Sequence, residues 1–208
     1  NSLNVFFNLF LKKTMECIFG FTGKDFVMTA TDSTVAQSIL IVKSTEDKSR
    51  ALSKRIALLF SGEPGDTVQF AEYIQRNVRL YEIRNGVELS TKSAATFTRR
   101  ELADSLRSRK PYNVNLILAG YDLTTESPSL YQLDYLGSSV SGPHAAHGYA
   151  AHFLFSIFDR YHRPDLSFEE AKALMKMCIV ELQRRFLVNL QNFTVKVVDK
   201  DGIREIAV

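Results

Sequence analysis

Little in this sequence announces its chemistry. It has two cysteines, Cys17 and Cys178, too few for a disulfide scaffold or a cysteine-rich zinc site and compatible with a reducing compartment. It has no unbroken run of about 18 apolar residues, so no bilayer-spanning helix is expected. Neither sign of charge dominates: 26 Lys and Arg against 23 Asp and Glu leave +3, too small a surplus to argue for nucleic acid or an anionic membrane as partner. Catalytic signatures are scarce as well. There is no GxSxG, no CxxC, no HExxH and no Lys-Ser/Thr pair closing a glycine-rich phosphate loop. What remains is an ordinary globular composition, 45% hydrophobic and 24% charged over 208 residues, which excludes wholesale disorder. The expectation is a soluble intracellular protein with one main domain.

The first 14 residues, NSLNVFFNLFLKKT, stand apart. The positive charge of Lys12 and Lys13 follows the apolar block, the reverse of a secretory signal. We read 1–14 as an extension and 15–208 as the domain. Six apolar side chains in that extension would be a sticky patch in water, so it is expected to dock on a neighbour.

The domain alternates strands and helices in blocks. Strand-like runs at 17–22 and 26–31 flank Gly23-Lys24-Asp25, which reads as a hairpin. Runs at 38–43 and 55–61 read as a second strand pair, with the polar stretch 44–54 as the loop between them. Ala71, Ile74, Val78 and Tyr81 form one helical stripe, closed by Asn85-Gly86. A second helix is expected over 90–108, with Ala95, Leu102 and Leu106 facing inward. Strands resume at 113–121, where Leu116-Ile117-Leu118-Ala119 suits burial on both faces, and at 129–136. An alanine-rich helix is expected over 144–161. Ser167-x-x-Glu170 opens a fourth helix, with Leu174, Cys178 and Leu182 on one stripe, and strands at 193–198 and 203–208 end the chain. This order predicts an α+β fold, a four-layer αββα sandwich.

Several residues invite a sharper reading, and most fit a plain one better. His144, His147 and His152 crowd nine residues, but no Cys, Asp or Glu flanks them as a metal site would require. Gly62-Glu63-Pro64-Gly65-Asp66 opens a helix, yet its carboxylates would repel phosphate. Arg99, Arg100, Arg107, Arg109 and Lys110 are diluted by Glu101 and Asp104, as on a solvated or salt-bridged subunit face. Both cysteines sit in apolar runs and read as core packing. No cofactor and no metal are expected.

The stretches CIFGFTGKDFVMTATD (17–32), SGEPGDTVQFAEYIQ (61–75), NVNLILAGYD (113–122) and SGPHAAHGYA (141–150), with the helix from Ser167, together resemble the beta subunits of the proteasome core particle. The segments GDTVQFAEYIQRNVRLYEIRNG (65–86) and FTRRELADSLRSRKPYNVNLILAGYD (97–122) point to the type-2 branch of that family. The resemblance spans 15–208 and implies the αββα sandwich of the N-terminal nucleophile hydrolases. It also implies alpha and beta subunits as partners in stacked seven-membered rings, work in ubiquitin-dependent protein degradation, and a place in cytoplasm and nucleus, with neither nucleic acid nor membrane as partner. Active members of the family use an exposed N-terminal threonine as nucleophile and its own amine as base. Counting back from Asp32, which matches the family's first aspartate, puts Glu16 where that threonine belongs. Phe186 falls at an acidic position and Asn189 at a downstream serine. Asp32, Lys48 and Ser141 match as remnants. The resemblance therefore implies a catalytically silent member. The alternative is an active threonine hydrolase processed to expose Thr14, which is out of register and lacks a preceding glycine.

Overall fold

The structure, a computed structural model, describes residues 16–37, 40–186, 190 and 192–208. Twelve strands and four helices are assigned among them. They are β1 (Cys17–Thr22), β2 (Phe26–Asp32), β3 (Val35–Gln37), β4 (Leu40–Lys43), β5 (Ser49–Ser53), β6 (Ile56–Gly62), α1 (Asp66–Asn85), α2 (Thr91–Ser105), β7 (Val114–Asp122), β8 (Ser127–Leu133), β9 (Ser139–Ser141), β10 (His144–Gly148), α3 (Tyr149–Tyr161), α4 (Phe168–Arg185), β11 (Phe193–Asp199) and β12 (Gly202–Ile206). One five-stranded sheet runs β10-β1-β2-β11-β12 and a second runs β5-β6-β7-β8-β9, while β3 and β4 pair with each other. All pairings are antiparallel.

Alternation along the strands builds three apolar layers between four structural ones. Phe19, Phe21, Met28, Val195 and Val197 face Leu154, Phe158, Leu174, Met175 and Leu182 of α3 and α4. Their neighbours Ile18, Val27 and Val198 point the other way, against Ala57, Leu59, Ile117 and Ala119 of the second sheet. The second sheet's other face presents Leu58, Phe60, Leu116 and Leu118 to Phe70, Ile74, Val78, Ala95 and Leu102 of α1 and α2. This is the expected αββα sandwich, and β2 and β6 are buried along their whole length because both faces are covered.

Several local expectations need correction. The run ending at Lys43 pairs with β3, and the partner of β6 is β5, which lies inside the stretch expected to be a loop. The sequence SRALS hides β5 because only Leu52 supplies a large apolar side chain. An edge strand tolerates that polarity, since one of its sides is unpaired. β9, with the sequence SVS, escapes notice for the same reason; it is short, exposed and at the sheet edge.

Residues 144–148 are a strand, not the start of a helix. Ala145 and Ala146 pair with Gly20 and Phe19 of β1, and that pairing overrides the helical preference of alanine. His144 and His147 therefore share no helix face. His144 stacks on Phe158, with ring centroids 5.0 Å apart. His147 is buried, with Nε2 3.1 Å from the Leu116 carbonyl oxygen. His152 is exposed on α3.

In α1 the stripe is buried only as far as Val78, and Tyr81 is exposed because the last two turns lie beyond the sheet's apolar face. Gly86 ends this helix in the left-handed conformation, its N–H donating to the Glu82 carbonyl. α2 stops at Ser105, earlier than expected, and leaves Leu106 exposed. β8 ends at Leu133 and β12 spans Gly202–Ile206, so the expected strands at 129–136 and 203–208 are each shifted. The Ser167–Glu170 capping box is present as expected, and Leu174, Cys178 and Leu182 are buried. The division between 14 and 15 lies outside the described residues.

Close packing of α2 on β7 depends on Gly120. A Cβ there would lie 2.2 Å from Thr91 Oγ1. Gly120→Ala is expected to lower unfolding stability by about 1–3 kcal/mol, measured by denaturant titration, and Thr91→Ala in the same chain should recover part of that loss.

Candidate functional site

Four element ends meet at one end of the sandwich. Glu16 directly precedes β1, Asp32 closes β2, Lys48 directly precedes β5 and Gly62 closes β6. Antiparallel pairing of β1 with β2 sets Ile18 opposite Thr31, which brings Cys17 alongside Asp32. The Cys17 backbone N–H donates to Asp32 Oδ1 at 2.7 Å.

Lys48 ties these ends together. Its Nζ donates to Asp32 Oδ2 at 2.8 Å and to the Thr34 carbonyl oxygen at 2.8 Å. It also lies 3.4 Å from Glu16 Oε1. An ammonium has three donors, and all three have acceptors within reach. The second Glu16 oxygen, Oε2, accepts from the Gly62 backbone N–H at 2.8 Å. The Lys48 and Asp32 side chains are 3% and 1% exposed and Glu16 is 20% exposed, so the ion pair is sequestered and the Glu16 carboxylate forms its more open side.

Burial sets the protonation balance. It raises the Asp32 carboxyl above its ordinary value, with the Lys48 charge and hydrogen bond opposing. It raises Glu16 too, again against Lys48 and the Gly62 N–H. Burial also pushes the Cys17 thiol up, so this sulfur, although next to Glu16, stays protonated and inert as a nucleophile. Burial likewise pushes the Cys178 thiol, on the inward face of α4, up to about 12.

The structure thus joins Glu16, Asp32 and Lys48 in one cluster of ion pairs and hydrogen bonds, which includes neither Ser141 nor Phe186. Ser141 sits exposed on edge strand β9, opposite Tyr131, and makes no contact with the Lys48 cluster. Phe186 follows α4 and packs edge-on against Tyr149, at 5.5 Å between centroids, and Phe153, at 6.5 Å. It contributes apolar packing and no charge. Thr14 and Asn189 lie outside the described residues. The participants that the sequence does not reveal are backbone groups: the Thr34 carbonyl and the Cys17 and Gly62 N–H. No side-chain signal marks them, because any residue carries them and only strand register aims them. Among the described residues no group of three or more His, Cys, Asp or Glu could hold a metal ion, and no helix is long and apolar enough to cross a membrane.

A buried lysine–aspartate pair at the mouth of two stacked antiparallel sheets, sandwiched between helix pairs, is the framework of an N-terminal nucleophile hydrolase fold. Residues 13–198 match the proteasome subunit family, and the chain belongs to it. Its relatives are of the beta type. It is 50% identical over 192 residues to the probable proteasome subunit beta type-4 of Neurospora crassa, covering 92% of this chain and 95% of that protein. It is 46% identical to proteasome subunit beta type-4 of Saccharomyces cerevisiae, covering 92% and 97%. It is 47% identical to proteasome subunit beta type-2-B of Arabidopsis thaliana, covering 92% and 95%. The likeness to the type-2 branch thus extends to proteins named type-4. The proteasome beta family is a family of threonine peptidases.

The pair's dependence on Lys48 can be measured. Both carboxyls lie above their ordinary values of 4.5 for Glu16 and 3.8 for Asp32, so the folded chain binds more protons than the unfolded one just above those values. Their contribution to stability is full below that window and is lost as pH rises through the folded-state pKa. Lys48→Met leaves Asp32 buried without a counter-charge and extends the window upward. The expected cost is about 3–5 kcal/mol at neutral pH, shrinking in mild acid as the carboxyls take up protons, read from denaturation midpoints across pH.

Proposed function

We propose that this chain is a non-catalytic, structural beta subunit of the 20S proteasome core particle. It fills one place in a seven-membered beta ring and helps wall the proteolytic chamber, with other alpha and beta subunits as its partners. The work is intracellular, ubiquitin-dependent protein degradation in cytoplasm and nucleus, and peptide substrates pass this subunit without being cut by it.

The observation that carries this reading is Glu16. It stands immediately before β1, beside the Lys48–Asp32 pair, where active family members present a threonine. A carboxylate has neither the hydroxyl that attacks a peptide carbonyl nor the adjacent free amine that would take its proton. Both Glu16 oxygens are also engaged, one by Lys48 and one by the Gly62 N–H. Orienting charges without a nucleophile have nothing to activate. Phe186 adds to this, because it supplies a ring where the family's second acidic group stands.

The surface supports an assembly role. The end of α1 and the turn after it expose Leu80, Tyr81, Ile83 and Val87, Ile83 being 81% exposed. Large apolar side chains left in water at a helix end are what a subunit contact covers. A ring of unlike subunits is closed by heterologous contacts, each subunit presenting two different faces.

The test uses the assembled particle. With the neighbouring active sites inhibited, fluorogenic peptides should show no residual turnover, and Thr14→Ala should change nothing. Residual turnover abolished by Thr14→Ala would overturn the proposal in favour of an active threonine hydrolase.

A further inference from the structure

A second lysine stands behind the first. Lys196 lies on β11, paired with Thr29 of β2 on one side and Glu205 of β12 on the other. Its side chain leaves its own sheet and reaches the start of β5 in the second. Nζ is 2.6 Å from Asp47 Oδ2 and 2.7 Å from Ser49 Oγ. These two residues are the immediate neighbours of Lys48 in the chain. Asp47 and Ser49 are also joined to each other: Asp47 Oδ1 accepts from the Ser49 N–H at 3.0 Å and from Ser49 Oγ at 2.7 Å. The backbone between them is held from the opposite side, where the Phe60 N–H donates to the Lys48 carbonyl at 3.0 Å.

We infer that Lys196 is a positioning residue for Lys48, gripping both flanking residues so that the Lys48 side chain has one direction to take, into Asp32, Thr34 and Glu16. The physical case rests on what else aims Lys48. A lysine side chain carries four rotatable bonds and about 2 kcal/mol of rotamer entropy, and Lys48 leaves the chain just before a short edge strand with little apolar anchorage of its own. Edge strands are held on one side only. The clasp supplies the missing second side from another sheet, through charge-assisted hydrogen bonds that are stronger and more directional than neutral ones. It is also placed to act locally. Asp47 is half exposed, its side chain 48% accessible, so the ion pair contributes little to global stability and its loss falls on the geometry of residues 47–49. Although burial by itself would raise the Asp47 carboxyl, the Lys196 ammonium and Ser49 hold it below its ordinary value, so the acceptor stays charged across the neutral range. This assignment is independent of whether the subunit cuts peptides.

The experiment follows the Glu16 and Asp32 carboxyls of the full-length chain by NMR titration, with denaturation of the same samples. In Lys196→Met, a mispositioned Lys48 supports both carboxyls less well. Their proton affinity should rise on the order of tenfold, in the direction produced by Lys48→Met, while Lys196→Arg restores the parent titration. In a Lys48→Met background, Lys196→Met should add nothing to the carboxyl shift. Asp47→Asn should reproduce the Lys196→Met shift, and it provides the reading if Lys196→Met fails to fold. Unchanged Glu16 and Asp32 midpoints in these variants would overturn the assignment and leave Lys196 as a general inter-sheet tether. So would a shift of equal size in the Lys48→Met background.

Discussion

The arrangement at the mouth of this sandwich hangs on one buried ion pair, Lys48 with Asp32. Its side chains are almost wholly removed from water. Charges in that position are tolerated only when their remaining hydrogen-bonding capacity is met. Here it is met by backbone: the Thr34 carbonyl accepts a hydrogen bond from the lysine ammonium, and the Cys17 N–H donates to the second aspartate oxygen. Those contacts require β1 to begin, β2 to end and β5 to begin at the same point in space. The pair therefore constrains the register of both sheets.

That constraint is by itself a structural reason to keep both charges. Removing one member of a buried pair strands the other, and the cost exceeds what the intact pair contributes. Asp32 cannot be lost alone, and neither can Lys48. Their presence is thus no argument for activity. The informative position is Glu16, which takes up the less buried side of the cluster and extends it to the end of β6 through the Gly62 N–H. Its carboxylate is one more acceptor for the lysine.

Much of the fold could be read in the residues, and the site only in part. The double-sided burial of Leu116 to Ala119, the capping box at Ser167 and the helical stripes of α1 and α4 were legible because periodicity and caps are local signals. Strand β5 was not, because a polar edge strand with one large apolar residue has the composition of a loop. Residues 144–148 misled in the other direction: alanine favours a helix, and pairing with β1 prevailed. At the site, resemblance to a family marked Asp32, Glu16 and Lys48. Nothing in a stretch that also contains Lys43 and Lys54 distinguishes Lys48 from its neighbours.

The sequence by itself determined the layer order, the family and the glutamate directly before β1, since each rests on residue identity or on short-range pattern. The tertiary structure alone decided which lysine is buried, which backbone groups complete its coordination, and that Lys196 grips the residues on either side of it. Those facts depend on bringing strand ends from two sheets within hydrogen-bonding distance. No spacing along a single chain encodes that distance, because it is set by how both sheets pack.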